Sequence, residues 1–213
     1  MNRVPAWFRT RVPAWFRTRA PVQLWENAGV PDGDQPADGG WLLLVYRVPP
    51  EPSRLRAAVW RRLKSLGAIY LQNSAAALPA GLSAERAMRK LRSEILDMGG
   101  TAVLLSCSVL AGAQDVHAAF QAARDDEYAE IVDRCEDFLA QVKKEHVAHH
   151  YTFAELEENE VDLDKLQKWF ARVRQRDVFG ADGRQAVEKA LAMCAESLEE
   201  YAARVYAEEA EGH

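Results

Sequence analysis

A short stretch of the sequence between Ser53 and Gly67 concentrates positive charge that could bind an anion. It contains five cations and no acid, and two of the cations fall where the first turn of a helix would lie. Cations there face the positive end of the helix dipole, at a cost of about 0.3–1 kcal/mol each at exposed sites. The placement becomes favourable when an anion such as a phosphate binds. The five residues are Arg54, Arg56, Arg61, Arg62 and Lys64.

Two interpretations of this basic segment remain open. Arg54, Arg61 and Lys64 project from one side of the predicted helix, away from its apolar stripe, which favours a phosphate-binding face. A solvated helix face that only maintains solubility would have the same composition. Arg47, at the end of the preceding apolar run, is grouped with the segment as a further candidate nucleic-acid contact.

A second basic cluster lies in the sequence KWFARVRQRD. Lys168, Arg172 and Arg176 are spaced i, i+4 and i+8, so they share one face of a helix and are candidates for binding a tetrahedral oxyanion. Six acids lie directly upstream, and ordinary ion pairs along the helix explain the cluster better on physical grounds. The acids are Glu155, Glu157, Glu158, Glu160, Asp162 and Asp164.

Other residue types that do chemistry form no recognisable site in the sequence. His146, His149 and His150 have a spacing that can bring two imidazoles to one metal, but without an HExxH pattern it is only weak support for a metal site. The three cysteines lie far apart in apolar patterns, and we interpret them as small core residues. We find no Ser/His/Asp arrangement and no phosphate-binding glycine loop, so we expect no metal, no cofactor and no enzymatic activity.

The basic segment lies within an alternation of strands and helices that predicts a ferredoxin-like domain over residues 40–113. The apolar run Trp41–Val48 predicts a buried strand, and Ser53 is placed to cap the helix that follows. Two short strands about Asn73 and Ser74, a second helix and a last strand complete the order β-α-β-β-α-β.

The strand pattern stops after Gln114, and three amphipathic stripes predict helices over residues 114–213. The first stripe starts at Tyr128. We expect these helices to pack on one another as a helical hairpin or a three-helix bundle. The predicted fold class is therefore α+β, a ferredoxin-like split βαβ domain followed by an all-α region.

Residues 1–39 are predicted to be a flexible basic arm and linker. The octapeptide RVPAWFRT occurs at 3–10 and again at 11–18, and its arginines alternate with aromatic residues. That pattern could stack on nucleic acid, although a leader without a role is the simpler interpretation.

The composition is that of a globular protein that works in a reducing compartment. The chain has 213 residues, 48% hydrophobic content and a formal net charge of −5. No apolar run approaches the roughly 18 residues of a membrane span, and no signal-peptide pattern is present. Isolated cysteines without a CxxC pair favour the cytoplasm. We expect no membrane partner.

The first domain resembles two ferredoxin-like families in its sequence segments LVYRVP and RLRAAVWRRLKSLGAIYLQNSAAALP. One is the nuclease of CRISPR adaptation, and the other is the middle domain of PaaX-type repressors. The nuclease family has a metal-binding Asp at the end of its first strand, where this sequence has Tyr46 and Arg47. Residues 1–40 are too short, and too rich in Pro and Gly, for the winged helix of the repressors.

A resemblance over nearly everything from Gly40 to Glu208 is more specific. The blocks YRVPPEPSRLRAAVWRRLKSLGA, DDEYAEIVDRCEDFL and FAELEENEVDLDKLQKWFARVRQRDVFGA are similar to the N-terminal region of ChrB chromate-resistance proteins. The resemblance implies a cytoplasmic, chromate-responsive regulator of chromate-efflux genes. Longer members continue into a second C-terminal region that this sequence, ending at His213, does not include, so we do not expect a complete sensing cycle from it.

The function expected from these patterns is non-enzymatic regulation. DNA is the expected partner through the basic helix, chromate or a similar oxyanion is a second candidate ligand, and a homodimer is possible. The alternative is a module that contacts another protein through its helical surface without binding DNA. Salt-dependent DNA binding distinguishes the two.

Arg47 leads to a first prediction, that the protein has no divalent-metal nuclease activity. A guanidinium cannot coordinate a cation, so the position that holds the metal in the nuclease family is lost here. We expect purified protein to leave DNA and RNA intact in the presence of Mg²⁺ or Mn²⁺. Cleavage that co-purifies with the protein and disappears in a variant of it would contradict this prediction.

Overall fold

The computed structural model of the protein describes residues 40–211, which form a four-stranded sheet with two helices and then three long helices. The predicted arm and linker, including the repeated octapeptide, lie outside the described residues. The strands are β1 (Trp41–Arg47), β2 (Ile69–Gln72), β3 (Ala75–Pro79) and β4 (Thr101–Cys107). The helices are α1 (Ser53–Leu66), α2 (Leu82–Asp97), α3 (Ala113–Val147), α4 (Phe153–Arg176) and α5 (Arg184–Glu211).

The sheet has the order β2-β3-β1-β4, and every neighbouring pair is antiparallel. The chain reaches this order by crossing from β1 through α1 to β2, and from β3 through α2 to β4. This is the split βαβ arrangement, so the predicted α+β fold class is confirmed. The turn between β2 and β3 is where the sequence placed it, and Ser74 adopts a positive φ of 67° there.

The start of α1 differs from the sequence prediction. The residue at the N-cap position is Pro52, and no side chain caps the helix. Ser53 is the first helical residue, one position too late for its hydroxyl to occupy the cap. The first turn of α1 therefore has neither a capping side chain nor an acid, although it carries two arginines.

One face of the sheet packs against α1 and α2 and forms a continuous core. Leu42 and Leu44 of β1 are buried in the same cluster as Val59 and Leu63 of α1. Successive side chains of a strand point to opposite faces, so the even-numbered residues of β1 form this inner face. The apolar stripe that the sequence assigned to α1 is the surface it buries.

The other face of the sheet is partly covered by the start of α3, which the sequence analysis did not foresee. The ring of Trp41 lies 6.3 Å from that of His117, 6.1 Å from that of Phe120 and 6.0 Å from that of Phe179. Helix α3 has 35 residues and begins at Ala113, well before the stripe that starts at Tyr128. Its first turns therefore belong to the core of the sheet and its later turns to the helical region.

The later part of α3 packs with α4 and α5 around a second core. Tyr128, Cys135, Cys194 and Tyr201 are fully buried in it. At the start of α4, the Thr152 hydroxyl accepts a hydrogen bond from the backbone N–H of Glu155 at 3.2 Å. The predicted domain boundaries stay a prediction, because α3 contributes to both cores. Within residues 40–211 no helix combines the length and apolar character that crossing a membrane requires.

A second prediction concerns Gly67, which ends α1 in the left-handed conformation with φ +78°. A Cβ on Gly67 would lie 2.6 Å from Nη1 of Arg124, whereas Gly99, with a similar φ of +76°, has nothing within 4 Å of its Cβ position. Gly99→Ala should lower the free energy of unfolding by about 1–2 kcal/mol, the cost of the left-handed conformation alone. Gly67→Ala should cost at least about 1–2 kcal/mol more, because the buried guanidinium must also move.

Urea unfolding followed by circular dichroism measures both losses of stability. Equal losses for the two variants would show that the contact between Gly67 and Arg124 has no energetic weight.

Candidate nucleic-acid interface

The cations of the basic segment all lie on the surface of α1. Each of the five is exposed, and none forms an ion pair with any residue in 40–211. This differs from α4, where Lys165 and Lys168 each pair with an acid of their own helix. The positive charge of α1 is therefore uncompensated by the described part of the chain.

Three of the five exposed cations lie on one face of α1, and the other two lie at its sides. Val59 and Leu63 are buried, which places Arg54, Arg61 and Lys64 on the opposite side of the helix. At a rise of about 1.5 Å per residue, Arg54 and Lys64 are separated by about 15 Å along the axis. A face of this length matches the repeated phosphates of a nucleic-acid backbone better than a single small anion.

Trp60 is a residue of this surface that the sequence analysis missed. Its side chain is 50% exposed, and Nζ of Lys64 lies 5.5 Å from the centre of its ring. Trp60 is a large apolar residue that lies outside the apolar stripe of α1. This departure from the helical period is the sequence signal that could have identified it as exposed. An exposed indole among cations can stack on a base or contact a sugar.

The C-terminal end of α1 is held by residues that come from two distant helices. Nη1 of Arg124 on α3 donates to the carbonyl of Gly67 at 2.9 Å. Nη1 of Arg176, at the end of α4, donates to the carbonyls of Lys64 and Ser65 at 3.0 Å each. The last carbonyls of a helix have no i+4 partner within the helix, and cations interact favourably with the negative end of its dipole. Both arginines therefore stabilise this end.

Glu127 joins the two arginines into one arginine–glutamate cluster, defined as Arg124, Glu127 and Arg176. Nη2 of Arg124 donates to Oε1 of Glu127 at 2.9 Å, and Nη2 of Arg176 donates to Oε2. Arg124 is only 2% exposed, and its guanidinium lies 4.9 Å from the ring centre of Phe120. Burial lowers the pKa of Arg124, and the charge of Glu127 opposes that effect.

The three candidate oxyanion ligands have different environments, although they share one helix. Nζ of Lys168 donates to Oδ2 of Asp164 at 2.7 Å. Arg176 belongs to the arginine–glutamate cluster. Arg172 is exposed and makes no ion pair with the described residues. Binding of one oxyanion by the three would require Lys168 and Arg176 to leave their present partners, and the oxyanion site stays a prediction.

Arg47 lies apart from the cations of α1. It is exposed at the end of β1, and the alternation of the strand places it on the face opposite to the buried Leu42 and Leu44. Helices α1 and α2 cover the face of Leu42, so Arg47 and the α1 cations are on different sides of the sheet. We therefore exclude Arg47 from the interface described here.

His146, Cys135 and Cys194 make contacts within the helical region. Nδ1 of His146 lies 3.2 Å from the hydroxyl of Tyr151, where α3 turns into α4. The thiol of Cys194 donates to the carbonyl of Cys135 at 3.6 Å, and hydrogen bonding with the Cys135 side chain together with burial raises the pKa of Cys194. Among residues 40–211 no group of three His, Cys, Asp or Glu side chains is arranged to hold a metal ion.

Comparison with known protein families gives a match. The family described as "Protein ChrB, N-terminal" matches residues 56–212, which is well over half of the chain. The match includes most of α1 and all of α2 to α5. A search of curated proteins found no match.

A third prediction separates the two arginines that the sequence placed on one face of α4. Arg176→Ala should lower the free energy of unfolding by about 2–4 kcal/mol, because the Ser65 carbonyl and one oxygen of Glu127 lose their donor. The Lys64 carbonyl loses one donor and keeps the backbone N–H of Gly67. Arg172→Ala is the matched control, and it should change stability by no more than about 0.5 kcal/mol. Both values come from urea unfolding of the full chain, and similar values for the two variants would contradict a structural role for Arg176.

Proposed function

The chain belongs to the family of the ChrB N-terminal region, and from that premise we propose that it acts in a chromate-resistance system as a non-enzymatic regulator that binds DNA through α1. The family match supports the association with chromate resistance. The DNA-binding step is proposed from the surface of α1.

The observation that supports DNA binding is the uncompensated charge of one helix, α1. Five exposed cations without an acid partner are unfavourable for the isolated protein, because like charges repel and two of them oppose the dipole of α1. Phosphate groups would remove both costs and release counterions from the DNA. Exposed Trp60 adds an aromatic surface beside Lys64.

The arginine–glutamate cluster makes this face a pre-organised one. It fixes the C-terminal end of α1 through carbonyls of Lys64, Ser65 and Gly67, so the helix does not have to be ordered when it binds. The N-terminal end has no capping side chain, and backbone N–H groups of its first turn can donate hydrogen bonds to a phosphate oxygen. The C-terminal end of α1 is thus anchored to the rest of the protein, and its N-terminal end is open to a phosphate.

A non-enzymatic role is supported by the residues available for chemistry. Arg47 occupies the position where the related nuclease family has its metal-binding Asp. Cys135 and Cys194 are fully buried, and the raised pKa of Cys194 opposes formation of a thiolate that could attack or reduce chromate.

Chromate is proposed as the effector from the family relationship, without an assigned pocket. Sulfate has the same shape and charge as chromate, so Coulomb attraction alone does not separate the two. Lys168 and Arg176 already bind carboxylates of this chain. We therefore expect weak oxyanion binding from this chain, with little preference for chromate over sulfate.

A second candidate function is a contact with another protein through the helical region. Phe153 at the start of α4 and Tyr206 near the end of α5 are both exposed, and their rings lie 5.5 Å apart. An exposed aromatic pair of this kind favours a protein contact.

The fourth prediction tests DNA binding by reversing two charges of α1. Arg54→Glu/Arg61→Glu should weaken binding to duplex DNA at least about tenfold and reduce the slope of log affinity against log salt by about 1–2, because two phosphate contacts are lost. The matched control is Lys143→Glu/Lys144→Glu, which makes the same change of net charge at two exposed positions of α3. Fluorescence anisotropy over a salt series measures affinity and slope for each protein.

A general effect of net charge would weaken both double variants equally, and that result would contradict a site on α1. Undetectable binding by the wild type at low salt would favour the protein contact through the helical region instead. Repeating the wild-type titration with chromate and with sulfate tests the effector, and equal effects of the two anions are the result expected.

A further inference from the structure

We propose that the protein forms a two-fold homodimer in which β4 pairs antiparallel with β4 of a second copy, centred on Leu104. The two sheets would join into one sheet of eight strands. This inference rests on the edge of the sheet and on α2, and it is independent of the proposed DNA binding.

Strand β4 is an unprotected edge. It ends the order β2-β3-β1-β4, and its sequence TAVLLSC contains neither a charged residue nor a proline. Proteins usually guard an exposed edge with charges, prolines, bulges or a short strand. The opposite edge follows that rule, since β2 has only four residues and its register shifts between Tyr70 and Gln72.

The outer side chains of β4 complement a second β4. Val103 and Leu105 are 56% and 44% exposed, which is unusual for two apolar residues so close together in a strand. Pairing centred on Leu104 places Val103 of each copy directly opposite Leu105 of the other. Both apolar pairs are then brought into contact on the face of the sheet that lies away from α2.

The inner side of the edge has room for the second strand. A cleft of about 460 Å³ separates α2 from β4, and residues 102–106 form one of its walls. The same two-fold axis brings Ala102, Leu104 and Ser106 of the second copy to this side. Two of these three side chains are small, so the added strand can lie close to α2.

The charges of α2 are arranged to match their own two-fold copy. Helix α2 runs antiparallel to β4, with Arg92 beside Ala102 and Glu85 seven residues earlier, towards the far end of β4. Both side chains line the cleft, together with Arg89, which forms an ion pair with Glu85 within α2. The axis through Leu104 therefore brings each Glu85 towards Arg92 of the other copy, so that its carboxylate lies between one arginine of its own helix and one of the second copy.

The backbone of β4 also has bonding capacity at this edge. Nε of Arg92 donates to the carbonyl of Ala102 at 3.2 Å, which shows that this carbonyl points away from β1. Because successive carbonyls alternate along a strand, those of Leu104 and Ser106 point the same way. In the dimer, the backbone N–H of Ser106 in the second copy donates a hydrogen bond to the carbonyl of Ala102. The side chain of Arg92 then turns towards Glu85 of the second copy.

Sedimentation velocity of the full chain over a concentration series tests the dimer. Glu85→Arg and Arg92→Glu should each weaken dimerisation at least about tenfold, since each turns two attractive contacts into repulsive ones. The double variant should recover to within about threefold of wild type, because the exchanged charges attract again. Lys90→Glu, an exposed residue of α2 outside the cleft, is the control and should dimerise as wild type does.

A backbone test complements the charge exchange. Ser106→Pro removes an outward N–H that β1 does not use, so it should abolish the dimer while circular dichroism shows an intact fold. If that variant does not fold, the charge exchange decides. A wild-type monomer at all concentrations, or a dimer that the charge variants leave unchanged, would overturn the proposal and leave this edge to an extended segment of another protein.

Discussion

The position of the basic helix depends on one partly buried ionic cluster. Arg124, Glu127 and Arg176 converge on the C-terminal end of α1, and they come from two helices outside the βαββαβ unit. Charge-assisted hydrogen bonds of this type are each worth about 1.5–3 kcal/mol, and a buried charge without its partner costs more than the bond contributes. The helical region and the sheet are thus joined by an interaction in which Glu127 pairs with both arginines.

The same residue type has opposite roles at the two ends of α1. At the C-terminal end, arginines from α3 and α4 satisfy carbonyls and complement the negative end of the dipole. At the N-terminal end, Arg54 and Arg56 face the positive end of the dipole and have no acid partner among the described residues. The first arrangement is complete within the protein, whereas the second is favourable only with an external anion. This contrast is the physical basis for placing a binding surface on α1.

Helix α3 sets the relation between the two parts of the molecule. Its first turns pack Phe120 against Trp41 of the sheet, and its later turns place Tyr128 in the core of the helical region. A helix is stiff over this distance, so the two cores are linked by one rigid element. The start of α3 covers only part of the outer sheet face, and the surface it leaves contains Val103 and Leu105.

The sequence by itself determined the elements that depend on local periodicity and local turns. Apolar period, turn residues and the order of strands were sufficient for the ferredoxin-like unit and for the cationic face of α1. The family came from the resemblance of whole sequence blocks, and the family match confirms it. The sequence did not predict the role of Arg176, because this arginine binds carbonyls of residues more than 100 positions away. The pattern Lys168, Arg172, Arg176 is also the same whether its members are solvated or buried. Burial of Arg124 escaped notice for the same reason. The predicted helical region began at residue 114, but the packing of the first turns of α3 on the sheet was missed, because their small residues show no strong helical stripe of their own. Tertiary structure alone decided which charges are satisfied inside the protein and which are left for a partner, because that outcome depends on burial and on which distant groups meet.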